Sequence, residues 1–279
     1  MSERTSTIGI DRSEVTRAAR DLAYDDYLAA LLAPRGCRDE LIMVAALMGE
    51  LARIPLSVSD PALGEIRLQW WRDALAGSAR TGHPVADAAI ALAPHISAPL
   101  IDVISPAIES YAAELYAEPF SSAEAFTAYT SGPVQAAFAL RAAILRSGAV
   151  AREPIISDAA RTLGLVRTCA RLPSLLAKGR TPLPVQLLPS ETPEGGDEAA
   201  IRTAVEGLIS EASAAWTVLR PQLRRSGREL RRVVLPAALA GPYLHAIQGI
   251  DRDVLRDISE PSPLERAARL WLAARLGRF

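Results

Sequence analysis

The sequence has few cysteines and almost no lysine, and it contains no local metal-binding motif. Its two cysteines, Cys37 and Cys169, are too few for a disulfide framework or a cysteine-rich zinc site. The 3 histidines lie too far apart in sequence to form a local metal site. Lys178 is the only lysine, so the basic residues are almost all arginines. These shortages exclude disulfide-stapled and zinc-finger proteins.

An excess of one charge and long apolar runs are also missing. The 31 basic and 32 acidic residues give a formal net charge of -1. This balance argues against a dedicated nucleic-acid-binding protein, which needs a clustered positive surface. No run of about 18 uncharged apolar residues occurs, so we expect no transmembrane helix, and residues 1–12 lack the apolar core of a signal peptide. We therefore expect a bacterial cytoplasmic protein, whose contact with the inner membrane would at most be peripheral.

Apolar residues recur at helical spacing along nearly the whole chain, and strand patterns are scarce. The pattern predicts an all-α fold of about ten helices of the single-domain bundle type. We expect a flexible N-terminal extension over residues 1–19 and a helical domain over residues 20–279. Gly132-Pro133 predicts a break within one helix, and Ser190–Asp197 is predicted to be an exposed loop.

Two sets of carboxylates have a spacing that could hold a metal ion. Asp21, Asp25 and Asp26 form a D-x-x-x-D-D pattern, and Asp253 and Asp257 repeat the spacing of four near the C-terminus. Residues four apart share one face of a helix, so either set could clamp Mg²⁺ and a diphosphate. The interpretation that we favour is a solvated helix face, on which these acids pair with nearby arginines.

The stretch Glu65–Asp73 combines two tryptophans with several charged residues. Trp70 lies on the apolar side of this predicted helix, so we expect it in the core. Trp71 follows Arg67 by four residues, which is the spacing of a cation–π pair. The stretch is either a helix with one buried tryptophan and a salt-bridged edge, or a polar wall beside an apolar cavity. The remaining polar residues of this flank are Glu65, Gln69 and Arg72.

Six segments follow one another in an order that is typical of a known family. They are Tyr27–Pro34, Ala45–Arg53, Leu63–Leu75, Gly82–Ala86, Tyr129–Gly132 and Gly164–Pro184. In this order, over about residues 20 to 276, the chain resembles the squalene/phytoene synthase family. The Glu65–Asp73 block resembles one branch in particular, which contains the mitochondrial respiratory complex I assembly factor and its alphaproteobacterial relatives.

The resemblance implies an isoprenoid synthase fold and a particular chemistry. Enzymes of the family join two prenyl diphosphates head to head, and two aspartate-rich motifs on facing helices bind Mg²⁺. The metal neutralises the departing diphosphate. Aligned with the family, the motifs fall on Gly49–Leu56 and Gly164–Leu175. The residues at the expected ligand positions are Ala52, Arg53 and Leu56 in the first motif, and Gly164, Arg167, Arg171 and Leu175 in the second.

Every metal ligand that the family implies is thus replaced by a neutral or cationic residue. Arg53 and Arg171 would place permanent positive charge where Mg²⁺ would lie, although arginine binds anions in bidentate fashion. We therefore expect no catalytic residue, no metal and no cofactor, with Mg²⁺ required only if the chain is an active transferase. The residues that this interpretation assigns to contact with a ligand or partner are Arg53, Glu65, Arg67, Gln69, Trp71, Arg72, Tyr129 and Arg171.

Three functions follow as hypotheses. The first is a non-catalytic protein that acts in assembly of respiratory complex I, through a subunit or an assembly intermediate, or that binds a prenyl lipid. The second is an active head-to-head prenyl transferase that uses farnesyl or geranylgeranyl diphosphate. The third is a purely structural helical protein that binds another protein and whose cavity is vestigial.

Overall fold

The computed structural model describes residues 11–116, 118–147, 153–188 and 198–279. Within these ranges the chain is all-α, as predicted, with twelve α-helices where about ten were expected. The helices are α1 (Arg12–Leu22), α2 (Tyr24–Leu31), α3 (Arg38–Ser57), α4 (Pro61–Ala76), α5 (Pro84–Ile90), α6 (Leu100–Ala113), α7 (Ala123–Ile144), α8 (Pro154–Leu176), α9 (Glu198–Arg225), α10 (Arg228–Val233), α11 (Ala240–Ile247) and α12 (Pro263–Leu276).

Two helices, α3 and α8, form the centres of two adjoining hydrophobic clusters. In α3 every residue from Leu41 to Leu51 is buried, because α1, α2, α5, α6 and α7 surround it. The second cluster gathers around α8, which packs against α7, α9 and α11. A helix that is apolar on all sides is typical of a fully enclosed position. The two helices that carry the family's motif positions are therefore the central helices of the bundle.

Glycines let the middle helices approach one another closely. A Cβ at Gly132 of α7 would clash with the carbonyl oxygen of Pro106 in α6, and a Cβ at Gly164 of α8 would clash with the carbonyl oxygen of Thr130 in α7. These contacts hold α6, α7 and α8 together. The predicted break at Gly132-Pro133 is wrong, because α7 runs through both residues while it packs between α6 and α8.

The predicted start of the folded domain at residue 20 is too late. Helix α1 begins at Arg12 and packs against α3, with Val15 and Ala19 buried. Asp11 caps it by accepting hydrogen bonds from the N–H groups of Ser13 and Glu14. The predicted exposed loop over 190–197 lies outside the described residues. In the described part of the chain, none of the helices has the length and apolar character needed to cross a bilayer.

Candidate functional site

A hydrogen-bond network centred on one arginine joins the two helices that carry the motif positions. Arg171 of α8 donates two hydrogen bonds to the carboxylate of Glu114, the residue that follows α6. The same guanidinium reaches α3, where its Nη2 lies 2.9 Å from the carbonyl oxygen of Ala52. The hydroxyl of Tyr129, on α7, donates to Glu114 Oε1 at 3.0 Å. Residues from both predicted motifs therefore meet, but through an arginine and not through metal ligands.

This network, which we call the Arg171 cluster (Arg171, Glu114, Tyr129, Ala52), is withdrawn from solvent. The Glu114 side chain is 3% exposed and the Arg171 side chain 22%. Burial acts to lower the pKa of Arg171, but the Glu114 carboxylate outweighs it and the pKa is raised. Burial, and then Glu114, raise the pKa of Tyr129 well above its usual value. Arg171 thus stays cationic and Tyr129 stays a donor at neutral pH.

Two further positions of the second motif have structural roles. Gly164 lies against the backbone of α7, where a longer side chain would not fit. Leu175 is fully buried. The first motif is different, because Arg53 is exposed and pairs with Glu50 on its own helix at 2.8 Å. The structure therefore brings Arg171 and Ala52 together, whereas Arg53 lies at the surface.

A second buried network surrounds Asp25 and Asp26 of α2. Asp26 pairs with Arg167 of α8 at 2.9 Å, and Asp25 accepts a hydrogen bond from Tyr243 at 2.8 Å. Arg266 of α12 pairs with Asp25 at 3.3 Å. Burial raises the pKa of Asp25, although Arg167 and the Tyr243 hydrogen bond oppose this shift. Arg167, another motif position, thus ties α8 to α2.

These pairs decide between the two interpretations of the aspartates. Four of the five aspartates do pair with arginines, as favoured above, whereas Asp257 accepts a hydrogen bond from the Asp253 N–H. Asp25, however, is buried and not solvated. Asp21 belongs to α1, pairs with Arg20 at 2.9 Å, and is separated from Asp25 by the helix junction at Ala23. Asp253 pairs with Arg202 at 3.0 Å. Neither set of aspartates is free to clamp a metal.

Magnesium, which the family's chemistry uses, does not fit the residues at the motif positions. Mg²⁺ needs oxygen ligands arranged around an octahedron. Here the carboxylates that contact motif positions are already bound by the arginines at those positions, in the pairs Arg53–Glu50, Arg167–Asp26 and Arg171–Glu114. Among the described residues, no group of three or more histidines, cysteines, aspartates and glutamates is placed to hold a metal ion. No chemical step is therefore derived through a metal at this site.

The buried side of α4 differs from the prediction. Trp70, expected in the core, is 40% exposed, whereas Trp71 is 4% exposed. Trp71 makes edge-on contacts with Trp70 and His83 at centroid distances of 5.2 and 5.3 Å, instead of the expected pairing with Arg67. The reason is Gly64, which has no side chain and therefore lies directly against Leu115 in the segment after α6. This contact turns the side of α4 that carries Gly64 and Trp71 toward the core.

The polar residues of α4 lie along its outer surface. Arg67 donates to the hydroxyl of Ser57 at 3.0 Å, and Gln69 donates to Asp73 at 2.8 Å. Glu65 accepts a hydrogen bond from the Tyr116 hydroxyl at 3.2 Å. Arg72 is half-buried and lies 3.4 Å from the amide oxygen of Gln69. These candidates do not join the Arg171 cluster, and they form a separate surface.

Sequence reasoning missed several buried charged residues, among them Glu114 and Arg180. Glu114 lies three residues after Tyr111, on the same buried side of α6, and this spacing is a signal that could have identified it. Arg180 is 5% exposed and donates to the carbonyl oxygens of Pro55 and Val58 at the end of α3. It satisfies carbonyls that a helix end leaves unpaired. No local pattern marks Arg180, because its partners are distant in sequence.

Comparison with known proteins decides the family. The squalene/phytoene synthase family model matches residues 19–267, which is most of the chain. The chain belongs to the squalene/phytoene synthase family. No curated protein sequence matches it significantly.

Solved structures share this fold at low sequence identity. The squalene synthase HpnC from Alicyclobacillus acidocaldarius is 18% identical, with a TM-score of 0.60 over 86% of this chain and 95% of that one. A dehydrosqualene synthase solved in complex with a ligand is 11% identical, with a TM-score of 0.64 over 96% of each chain. These similarities confirm the predicted isoprenoid synthase fold. At such identities they carry no information on activity.

Proposed function

We propose that this family member is non-catalytic and acts by binding, in the assembly of respiratory complex I. The observation that carries the first part is the Arg171 cluster. Condensation of prenyl diphosphates requires the leaving diphosphate to be neutralised by Mg²⁺. Here the guanidinium of Arg171, which cannot lose its charge, binds both Glu114 and the carbonyl oxygen of Ala52. Arg171 and Ala52 are themselves positions of the two motifs.

The outer surface of α4 has features that favour binding to a protein partner. Leu63, Ile66 and Trp70 follow one another at helical spacing and are 52%, 66% and 40% exposed. Large apolar side chains exposed together are typical of interaction surfaces, and tryptophan is frequent among the residues that dominate binding. Arg67 lies beside them. The same block carries the resemblance to the assembly-factor branch, so we propose a complex I subunit or assembly intermediate as the partner.

The catalytic part of the proposal is tested with purified protein, Mg²⁺ and either farnesyl or geranylgeranyl diphosphate. We expect diphosphate release no greater than that of a heat-treated sample. Release well above that control would reject the proposal and favour an active head-to-head prenyl transferase. Native mass spectrometry of the purified protein then tests for a bound prenyl lipid, which would make lipid binding and not protein assembly the central role.

The assembly part is tested by deleting the gene in a host that has respiratory complex I. We expect NADH:quinone oxidoreductase activity to fall and wild-type protein to restore it. The double variant Ile66→Asp/Trp70→Asp should fail to restore activity, because it removes the apolar surface. Val218→Asp on α9, at a position 64% exposed, is the matched control and should restore activity. Unchanged activity after deletion would remove the assembly role.

A further inference from the structure

A cavity of about 510 Å³ lies beside α10, away from the positions of the two motifs. It is bounded by the end of α2, the start of α3, the end of α7, α10 and α12. Seven of the residues that line it are arginines, and none of its described lining residues is acidic. Such a concentration of one charge around a cavity is unusual, because like charges repel and destabilise the folded chain.

The most buried of these arginines is Arg141, which is 3% exposed. Its Nε donates to the carbonyl oxygen of Val233 at 2.9 Å, and its Nη2 donates to the carbonyl oxygen of Arg232 at 3.0 Å. Burial lowers the pKa of Arg141 to about 10. Both acceptors are neutral, whereas a buried charge ordinarily has a counter-charge.

Three of the arginines are half-buried, and two of them show how the wall is built. The Nε of Arg38 is buried, and within the described chain no acceptor reaches it. Gly277 ends α12 with a left-handed backbone, and a Cβ there would clash with the guanidinium of Arg231. Arg232 is the third. The exposed members are Arg35, Arg228 and Arg275.

Among the described residues no carboxylate forms an ion pair with these arginines, although the negative charge of Asp26, itself paired with Arg167, also acts on Arg141. The ion pairs of the described residues involve other arginines and leave all seven without an acidic partner. Guanidinium groups bind phosphate oxygens in bidentate fashion, and they do so most strongly where water is excluded. Several arginines around one cavity therefore favour an anion that carries more than one negative charge.

We propose that this cavity binds a polyvalent phosphate anion, which is either a free phosphate compound or the headgroup of an anionic phospholipid. Such a ligand would give Arg141 a directly paired counter-charge and would offer an acceptor to Arg38. Leu32, Leu145 and Leu235 also line the cavity, so an apolar group attached to the phosphate finds a matching wall. No motif position lines the cavity, and binding here requires no metal. The proposal is thus independent of the proposed function.

The test uses inorganic pyrophosphate as the probe, without metal, in titration calorimetry and thermal denaturation. We expect saturable binding that weakens as salt is added and a rise in the melting temperature with ligand concentration. The double variant Arg228→Glu/Arg275→Glu should bind about tenfold more weakly or worse, because it removes charge-assisted hydrogen bonds. Both positions are exposed, so the fold should persist, and circular dichroism checks it.

Arg161→Glu on α8 is the matched control, because Arg161 is exposed and does not line the cavity. A second arm measures co-sedimentation with phosphatidylcholine vesicles that contain or lack phosphatidylglycerol. Sedimentation that needs phosphatidylglycerol and is lost in the double variant identifies a lipid headgroup. Pyrophosphate binding without sedimentation identifies a soluble phosphate compound. Absence of both, or an equal effect of the control and the double variant, would overturn the proposal.

Discussion

Replacing Arg171 by methionine should destabilise the protein strongly, because it leaves a buried carboxylate without its counter-charge. The Glu114 side chain is 3% exposed and, among the described residues, would retain only the Tyr129 hydroxyl as a donor. Breaking a buried ion pair by removal of one partner costs about 3–5 kcal/mol. With an unfolding entropy of about 2.1 cal/mol/K per residue over 279 residues, this loss lowers the melting temperature by about 5–9 °C.

Chemical denaturation measures the loss of unfolding free energy, and calorimetry measures the fall in melting temperature. Two further variants isolate the contribution of the Arg171–Glu114 ion pair. Arg12→Met removes an ion pair with Asp39 in which both side chains are more than half exposed, so it should cost less than about 1 kcal/mol. The double variant Glu114→Gln/Arg171→Met should lose clearly less than the sum of the single losses, since neither group is then left unpaired. If Arg171→Met costs no more than Arg12→Met, the cluster is not the buried network described here.

Two other predictions follow from burial. Gly164→Ala should destabilise the protein by about 1–3 kcal/mol, because the added Cβ meets the backbone of α7. Gly207→Ala, in open space on α9, is the control and should stabilise the protein by up to about 1 kcal/mol. Equal effects of the two variants in denaturant titrations would refute the close approach of α7 and α8. Burial raises the pKa of the Cys169 thiol to about 12. Iodoacetamide at neutral pH should therefore modify the half-buried Cys37 first. Peptide mass spectrometry measures both rates, and labelling of Cys169 as fast as that of Cys37 would contradict the burial of Cys169.

Local patterns predicted the helices well where both ends carry strong signals. Asp60 and Pro61 predict the start of α4, and Asp60 does cap that helix, accepting a hydrogen bond from the Ala62 N–H at 2.9 Å. Helical spacing alone could not decide which side of α4 is buried. Gly64 decides it through a close contact with Leu115, and a glycine contributes nothing to an apolar pattern.

The candidate site could be predicted only in part. Alignment with the family placed Ala52 and Arg171 at facing motif positions, and their hydrogen bond confirms that these positions meet. The partner of Arg171 could not be predicted, because Glu114 lies 57 residues away, directly after another helix. The same holds for Arg167 and Asp26, which are 141 residues apart. Sequence indicates that buried charges need partners, but only the packing of helices selects them.

The most direct test of the central claim is a crystal structure of the protein soaked with Mn²⁺ and a thio-analogue of farnesyl diphosphate. Anomalous scattering locates any bound metal. We predict no metal between α3 and α8, with Arg171 still paired with Glu114 and bonded to the Ala52 carbonyl. A metal cluster that binds the diphosphate between these helices and displaces the Arg171 side chain would contradict the account.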